Sequence, residues 1–132
     1  MKHLRLEVLT PEEIIFDAEV DAVVVPLADG WQGILPGHLG FHARLMRGEV
    51  LLRAGGQERV LATLGGTIIV QGWTVTVLTG TAALDCTLET LEHEISGKAQ
   101  RLAEIEREAE KHFDRVYRQM ARTFTPRGGH HL

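Results

Sequence analysis

One cysteine, Cys86, is all the thiol in this 132-residue chain, so no internal disulfide can staple it. The opening residues Met1, Lys2, His3, Leu4 and Arg5 alternate polar and apolar instead of forming the apolar core of a secretory signal. The reducing cytoplasm is therefore the expected compartment. Long hydrophobic runs are also missing. The longest, residues 22–28, contains Pro26 and falls far short of the ~20 residues that a membrane-crossing helix needs, so any membrane contact is expected to be indirect. Basic runs are absent as well: Lys plus Arg number 14 against 18 Asp plus Glu, a net charge of −4. Nucleic-acid binding through phosphates requires a basic surface and is not expected.

What is present is ordinary for a water-soluble protein. Apolar residues make up 44% and charged residues 24%, enough to bury a core. The length suits one domain with an appendage, since independent domains run to ~100–200 residues.

The hydrophobic period changes near Cys86. Before it, apolar residues recur at every second position: Leu4, Leu6 and Val8 against His3, Arg5 and Glu7, and Val75 and Val77 against Thr74 and Thr76. That is the period of half-buried strands. Further strands are readable at residues 19–27, 49–54, 58–63 and 67–71, rich in Val, Ile, Leu and Thr. Gly55-Gly56 and Gly72 supply hairpin turns between them. About 8–10 short strands at this spacing predict an antiparallel β-sandwich or flattened barrel over residues 1–86. A parallel sheet would need crossover helices, and no segment before Cys86 has a helical period.

After Cys86 the period becomes helical. With about 100° per residue, Leu91, Ile95, Leu102, Ile105, Ala109, Phe113, Val116 and Met120 form one stripe, while Glu, Lys and Arg fill the other face. Glu94–Lys98 and Asp114–Arg118 are spaced for supportive i, i+4 pairs. Thr87 is placed to cap the segment, and Glu89 lies in its first turn. The stripe keeps its phase across Ser96-Gly97, which favours a single helix over a hairpin. Residues 87–124 are assigned to this helical region and 125–132 to a flexible tail. A helix of ~35 residues reaches ~50 Å, longer than the ~30 Å breadth of an 87-residue domain. Its far part, with Phe113, Val116, Tyr117, Met120 and Phe124, is expected to need another chain or a second copy, the alternative being a fold-back onto the sandwich.

Catalytic groupings are sparse. Cys86 stands at the junction without an assured activating partner and reads as a small hydrophobe. His38 and His42 lie four apart, but in a turn leading into a strand that spacing separates them by ~13 Å, so no metal is expected there. His130 and His131 form only a tail pair capable of adventitious metal binding. Gly30, Gly33, Gly37 and Gly40 are not followed by the Lys and Ser/Thr of a phosphate cradle. The distinctive segment is the loop Asp29-Gly30-Trp31-Gln32-Gly33-Ile34-Leu35-Pro36-Gly37-His38. Its glycines and proline imply a specific shape, and Trp31 there either covers a core or meets a partner.

The order Leu6-Glu7-Val8-Leu9-Thr10-Pro11-Glu12, Phe16, Asp29-Gly30, Gly33-Ile34-Leu35-Pro36-Gly37-His38, Leu64-Gly65-Gly66 and Val75-Thr76-Val77-Leu78 resembles the epsilon subunit of F-type rotary ATP synthases, over residues 4–83. The divergent tail is more similar to that of the alternative, sodium-type bacterial enzymes. The resemblance implies a non-catalytic central-stalk subunit at the cytoplasmic face of the bacterial inner membrane. Its sandwich would link the gamma subunit to the ring of membrane c subunits in ion-coupled ATP synthesis or hydrolysis. The implied rotor-facing edge is Gly30, Trp31, Gln32, Gly33, Pro36, Gly37 and His38. Arg101, Arg107, Arg115, Arg118 and Arg122 are candidates to meet acidic surfaces of the catalytic beta subunits from a regulatory helix. Some members bind ATP through an Asp-x-x-Arg-Ala motif; Leu84-Asp85-Cys86-Thr87-Leu88-Glu89 lacks its arginine and alanine, so no cofactor is expected. The competing reading from another class is a free-standing coiled-coil homodimer whose sandwich binds a small ligand.

Overall fold

The computed structural model describes residues 3–123. Ten strands precede one helix among them: β1 (Leu4–Leu9), β2 (Ile14–Val20), β3 (Ala22–Leu27), β4 (Gly30–Ile34), β5 (Phe41–Leu45), β6 (Gly48–Ala54), β7 (Gln57–Thr63), β8 (Gly66–Gln71), β9 (Thr74–Thr79), β10 (Ala82–Leu84) and α1 (Leu88–Thr123). The alternation that marks the strands in the sequence sets the core. Leu4, Leu6 and Val8 of β1, Val23 and Val25 of β3, and Val75 and Val77 of β9 are all fully buried. Each such side chain contributes about 1.5–3 kcal/mol on leaving water.

The strands form one continuous ladder in the order β10-β7-β6-β3-β5-β8-β9-β1-β2, with β4 added beside β3. Every pairing is antiparallel except β1 with β9, which is parallel. The ladder rolls up on itself. Its two end strands, β10 and β2, lie against each other, and the Arg59 guanidinium sits 5.9 Å from the centre of the Phe16 ring. The result is the β-sandwich anticipated from the two-residue period.

The strand read at residues 19–27 is two strands. Asp21 separates them: its N–H donates to Arg53 O at 2.7 Å, and its carboxylate meets His3 Nδ1 at 3.0 Å. The chain leaves its partner β1 there and pairs next with β6.

Close approach of two strands fixes one glycine. A Cβ on Gly66 would stand 2.0 Å from Leu78 O, inside any tolerable contact. Next to it, the buried hydroxyls of Thr63 and Thr79 bond each other at 2.9 Å, and Thr79 Oγ1 also donates to Gly65 O at 2.7 Å. The pair thus enters the interior without an unmet hydrogen bond.

α1 starts where two acceptors meet its free N–H groups. Thr87 Oγ1 accepts from Thr90 N–H at 3.2 Å, and Glu49 Oε2 accepts from Leu88 N–H at 3.0 Å, the side-chain capping a helix N-terminus needs. Leu91 is buried at 4% exposure, and Arg47 pairs with Glu92. The chain's contacts divide it into two compact units that meet between His93 and Glu94.

The second unit is a helix that continues without interruption through Gly97 to Thr123. The hairpin alternative is excluded, because a glycine penalty of ~1 kcal/mol does not break a helix of 36 residues whose stripe holds its phase. Leu102, Ile105, Phe113, Val116, Tyr117 and Met120 on that stripe are exposed. The expected Glu94–Lys98 and Asp114–Arg118 pairs do not form. Among the described residues of this stretch, the ion pair present is Lys111–Glu108 at 3.9 Å, as exposed charges gain little from pairing. Phe124, the tail, His130 and His131 lie outside the described residues.

Candidate functional site

The distinctive segment at residues 29–38 is not one loop. Its first part, Gly30–Ile34, is strand β4, and only the remainder turns. The strand was hidden in the sequence because two glycines in five residues weaken the alternation. β4 pairs with β3 in the register Leu27↔Gly30, Pro26↔Trp31, Val25↔Gln32, Val24↔Gly33 and Val23↔Ile34. Alternation then sends Ile34 into the core and turns Trp31 outward, 61% exposed. The alternative of a core-covering Trp31 is thereby excluded.

Residues 35–38 form a β-turn closed by His38 N–H to Leu35 O at 3.1 Å. Pro36 presets its first central position, and Gly37, at φ 84°, takes the second, as a type II turn requires. His38 then locks the turn to β4. Its Nδ1–H donates to Leu39 O at 2.8 Å, which leaves Nε2 to accept from Gln32 Nε2 at 3.4 Å. Gln32 Nε2 also donates to Gly33 O at 3.1 Å. The His38 ring meets Phe41 edge-on, with centroids 5.4 Å apart.

Trp73, at the β8–β9 turn, completes this region. A Cβ built on Gly37 would lie 3.8 Å from Trp73 Cη2, so the indole rests over the glycine. Trp73 is half-exposed, and Leu35 and Leu39, flanking the turn, are exposed too. The sequence reading passed over Trp73. The available signal was a tryptophan directly after Gln71-Gly72, where a turn residue would ordinarily be polar. The edge as a whole presents apolar and hydrogen-bonding groups, with no charge between Gly30 and Gly37.

The helix candidates belong to the second compact unit. Arg101, Arg107, Arg115 and Arg118 are exposed along α1, and the side chain of Arg122 lies outside the described residues. His42 is on β5, exposed, apart from the His38 turn. Among the described residues no group of three or more His, Cys, Asp or Glu is placed to hold a metal, and no helix is long and apolar enough to cross a membrane.

Residues 3–85 match the family described as the ATP synthase delta/epsilon chain, beta-sandwich domain. The ATP synthase epsilon chain of Leptospira borgpetersenii is 38% identical over 104 residues, covering 79% of this chain and 78% of that protein. That of a Synechococcus is 37% identical over 98 residues, covering 74% and 72%. In the cryo-EM structure of the Euglena gracilis mitochondrial ATP synthase resolved with its c-ring, a chain 25% identical superposes with a TM-score of 0.62, covering 80% of this chain and 66% of that one. The sandwich over these residues agrees with the family match, and the chain belongs to the ATP synthase epsilon family, whose members are non-catalytic subunits of the F-type enzyme.

Proposed function

We propose that the chain works as a central-stalk coupling piece: its sandwich joins the gamma subunit to the c-ring, and the helix beyond His93 serves as a regulatory arm. The observation that carries this reading is the preformed edge of Gly30, Trp31, Gln32, Gly33, Pro36, Gly37 and His38, which holds no Asp, Glu, Lys or Arg. An exposed tryptophan on a strand fixed by backbone pairing is the kind of rigid anchor that carries binding energy in interfaces. The structures similar in fold come from ATP synthases resolved with the c-ring, from Euglena gracilis and, at a TM-score of 0.52, from Tetrahymena thermophila. In that role the chain sits at the cytoplasmic face of a bacterial inner membrane, held there through the complex alone.

Along α1, the apolar stripe and Arg101, Arg107, Arg115, Arg118 and Arg122 suit an acidic, partly apolar partner such as the catalytic beta subunits. Reconstitution tests both parts. The full chain is expected to bind gamma and enter the complex, and a chain ending at Glu94 is expected to enter it equally well while ATP hydrolysis changes. Failure of the full chain to bind gamma overturns the coupling role. Unaltered hydrolysis with the shortened chain overturns the regulatory arm. A concentration-independent dimer in sedimentation, without gamma binding, instead supports the coiled-coil homodimer.

A further inference from the structure

β4 has a backbone edge that no other described strand pairs with. Among the described residues its pairing is with β3 alone. The register decides which of its groups face outward. Leu27↔Gly30 is a closing pair of the hairpin, and Pro26, opposite Trp31, has no N–H to give. The hydrogen-bonded pairs are therefore Leu27–Gly30, Val25–Gln32 and Val23–Ile34, and the alternate residues Trp31 and Gly33 turn their N–H and C=O groups away from β3.

Sheet edges are commonly defended by charge, proline or a bulge. β4 has none of these: its sequence is Gly-Trp-Gln-Gly-Ile. The space above Gly30 and Gly33 is open as well, since a Cβ on either would meet nothing within 4 Å. That space lies over the sheet face, so no side chain at Gly30 or Gly33 crowds those of a strand added at the edge. Among the described residues the Gly33 carbonyl is the one of these groups that is engaged, by Gln32 Nε2 at 3.1 Å, which leaves Trp31 N–H, Trp31 C=O and Gly33 N–H for a partner.

We infer that β4 is a strand-addition site: an extended, uncharged segment of a neighbouring rotor subunit pairs with Trp31 and Gly33, and the Trp31 indole covers the added strand's side chains. Backbone pairing supplies affinity in this mode and side-chain contacts supply selectivity. The absence of charge along β4 selects a neutral segment, because a charged one would be desolvated without a partner. The inference rests on the coupling role proposed above.

Hydrogen exchange read residue by residue tests it, with the isolated chain compared against the chain in the reconstituted rotor. The Trp31 and Gly33 amides are expected to exchange freely in the isolated chain and to slow by roughly a hundredfold in the complex, the Gln32 amide being protected in both states. Gly33→Pro deletes an outward N–H without touching the β3–β4 ladder and is expected to weaken capture of the partner roughly tenfold, while Gly33→Ala, which keeps the N–H, weakens it less. Entry into the rotor with both amides still exchanging freely overturns strand addition and leaves the coupling role standing. Failure to enter at all overturns the coupling role itself. Protection of both amides in the isolated chain at high concentration overturns the choice of occupant, since the added strand then belongs to a second copy.

Discussion

Arg59 grips Asp85 with two hydrogen bonds, Nε–H to Oδ1 at 3.1 Å and Nη2–H to Oδ2 at 2.8 Å. Asp85 needs such a hold, being a non-glycine residue at φ 56°, a left-handed conformation rare for side-chain-bearing residues. Its own N–H donates to Val60 O at 2.7 Å. The chain leaves β10 through this residue and begins α1 three positions later.

The grip makes stability sensitive to acid. Hydrogen bonds from Arg59, aided by its charge, hold the Asp85 carboxyl below its ordinary range. Since the folded value is the lower one, the contribution is complete above the unfolded value, about 3.9, and is lost as pH falls through the folded value. Melting temperatures of the native chain and Asp85→Asn are expected to differ at neutral pH and to converge in acid, once the pH has fallen through the lowered folded value of Asp85. Both groups are exposed, so the difference stays small and shrinks further in high salt. A gap that persists in strong acid contradicts the assignment.

Gly66→Ala is expected to be among the most damaging single-methyl additions in the sandwich. Its Cβ would press on Leu78 O at 2.0 Å, and separating β8 from β9 costs about 3 kcal/mol. Gly56→Ala, with open space around it but φ at 79°, should cost only about 1 kcal/mol. Urea midpoints of the two variants read the contrast directly.

Two leucines on one helix stripe separate anchoring from exposure. Leu91 is 4% exposed and Leu102 59%. Leu91→Ala is expected to lower the stability of the sandwich unit by about 2–4 kcal/mol, and Leu102→Ala to leave it unchanged within about 0.5 kcal/mol. Equal effects in denaturant titrations would mean that α1 is fixed elsewhere.

Trp31→Ser removes an exposed side chain from a strand whose ladder stays intact. No stability loss beyond about 0.5 kcal/mol is expected, whereas affinity for the rotor partner should fall at least about tenfold. Calorimetry of folding and of binding on the same sample distinguishes the two, and a large drop in folding stability without loss of affinity contradicts the partner-facing role.

Much of this was legible in the residues themselves. The two-residue period of Leu4, Leu6 and Val8 and of Val75 and Val77 set both the strands and the buried face, because a pleated strand alternates its sides whatever it pairs with. The phase of the stripe from Leu91 to Met120 set a single helix. Less was legible where local pattern is weak: β4 carries two glycines, and β10 spans only Ala82–Leu84, too short for a period to register.

The order of amino acids by itself determined which side chains are apolar, how often they recur, and so the division into a β part and a helical part. Tertiary structure alone decided that β1 runs parallel to β9, that Trp73 comes to rest over Gly37, that Arg59 reaches Asp85 and that β4, among the described residues, pairs with β3 alone. The physical reason is range. Periodicity is a property of neighbours along the chain, whereas pairing and edge exposure depend on which distant segments lose least by coming together, and that is settled only when the whole sheet closes.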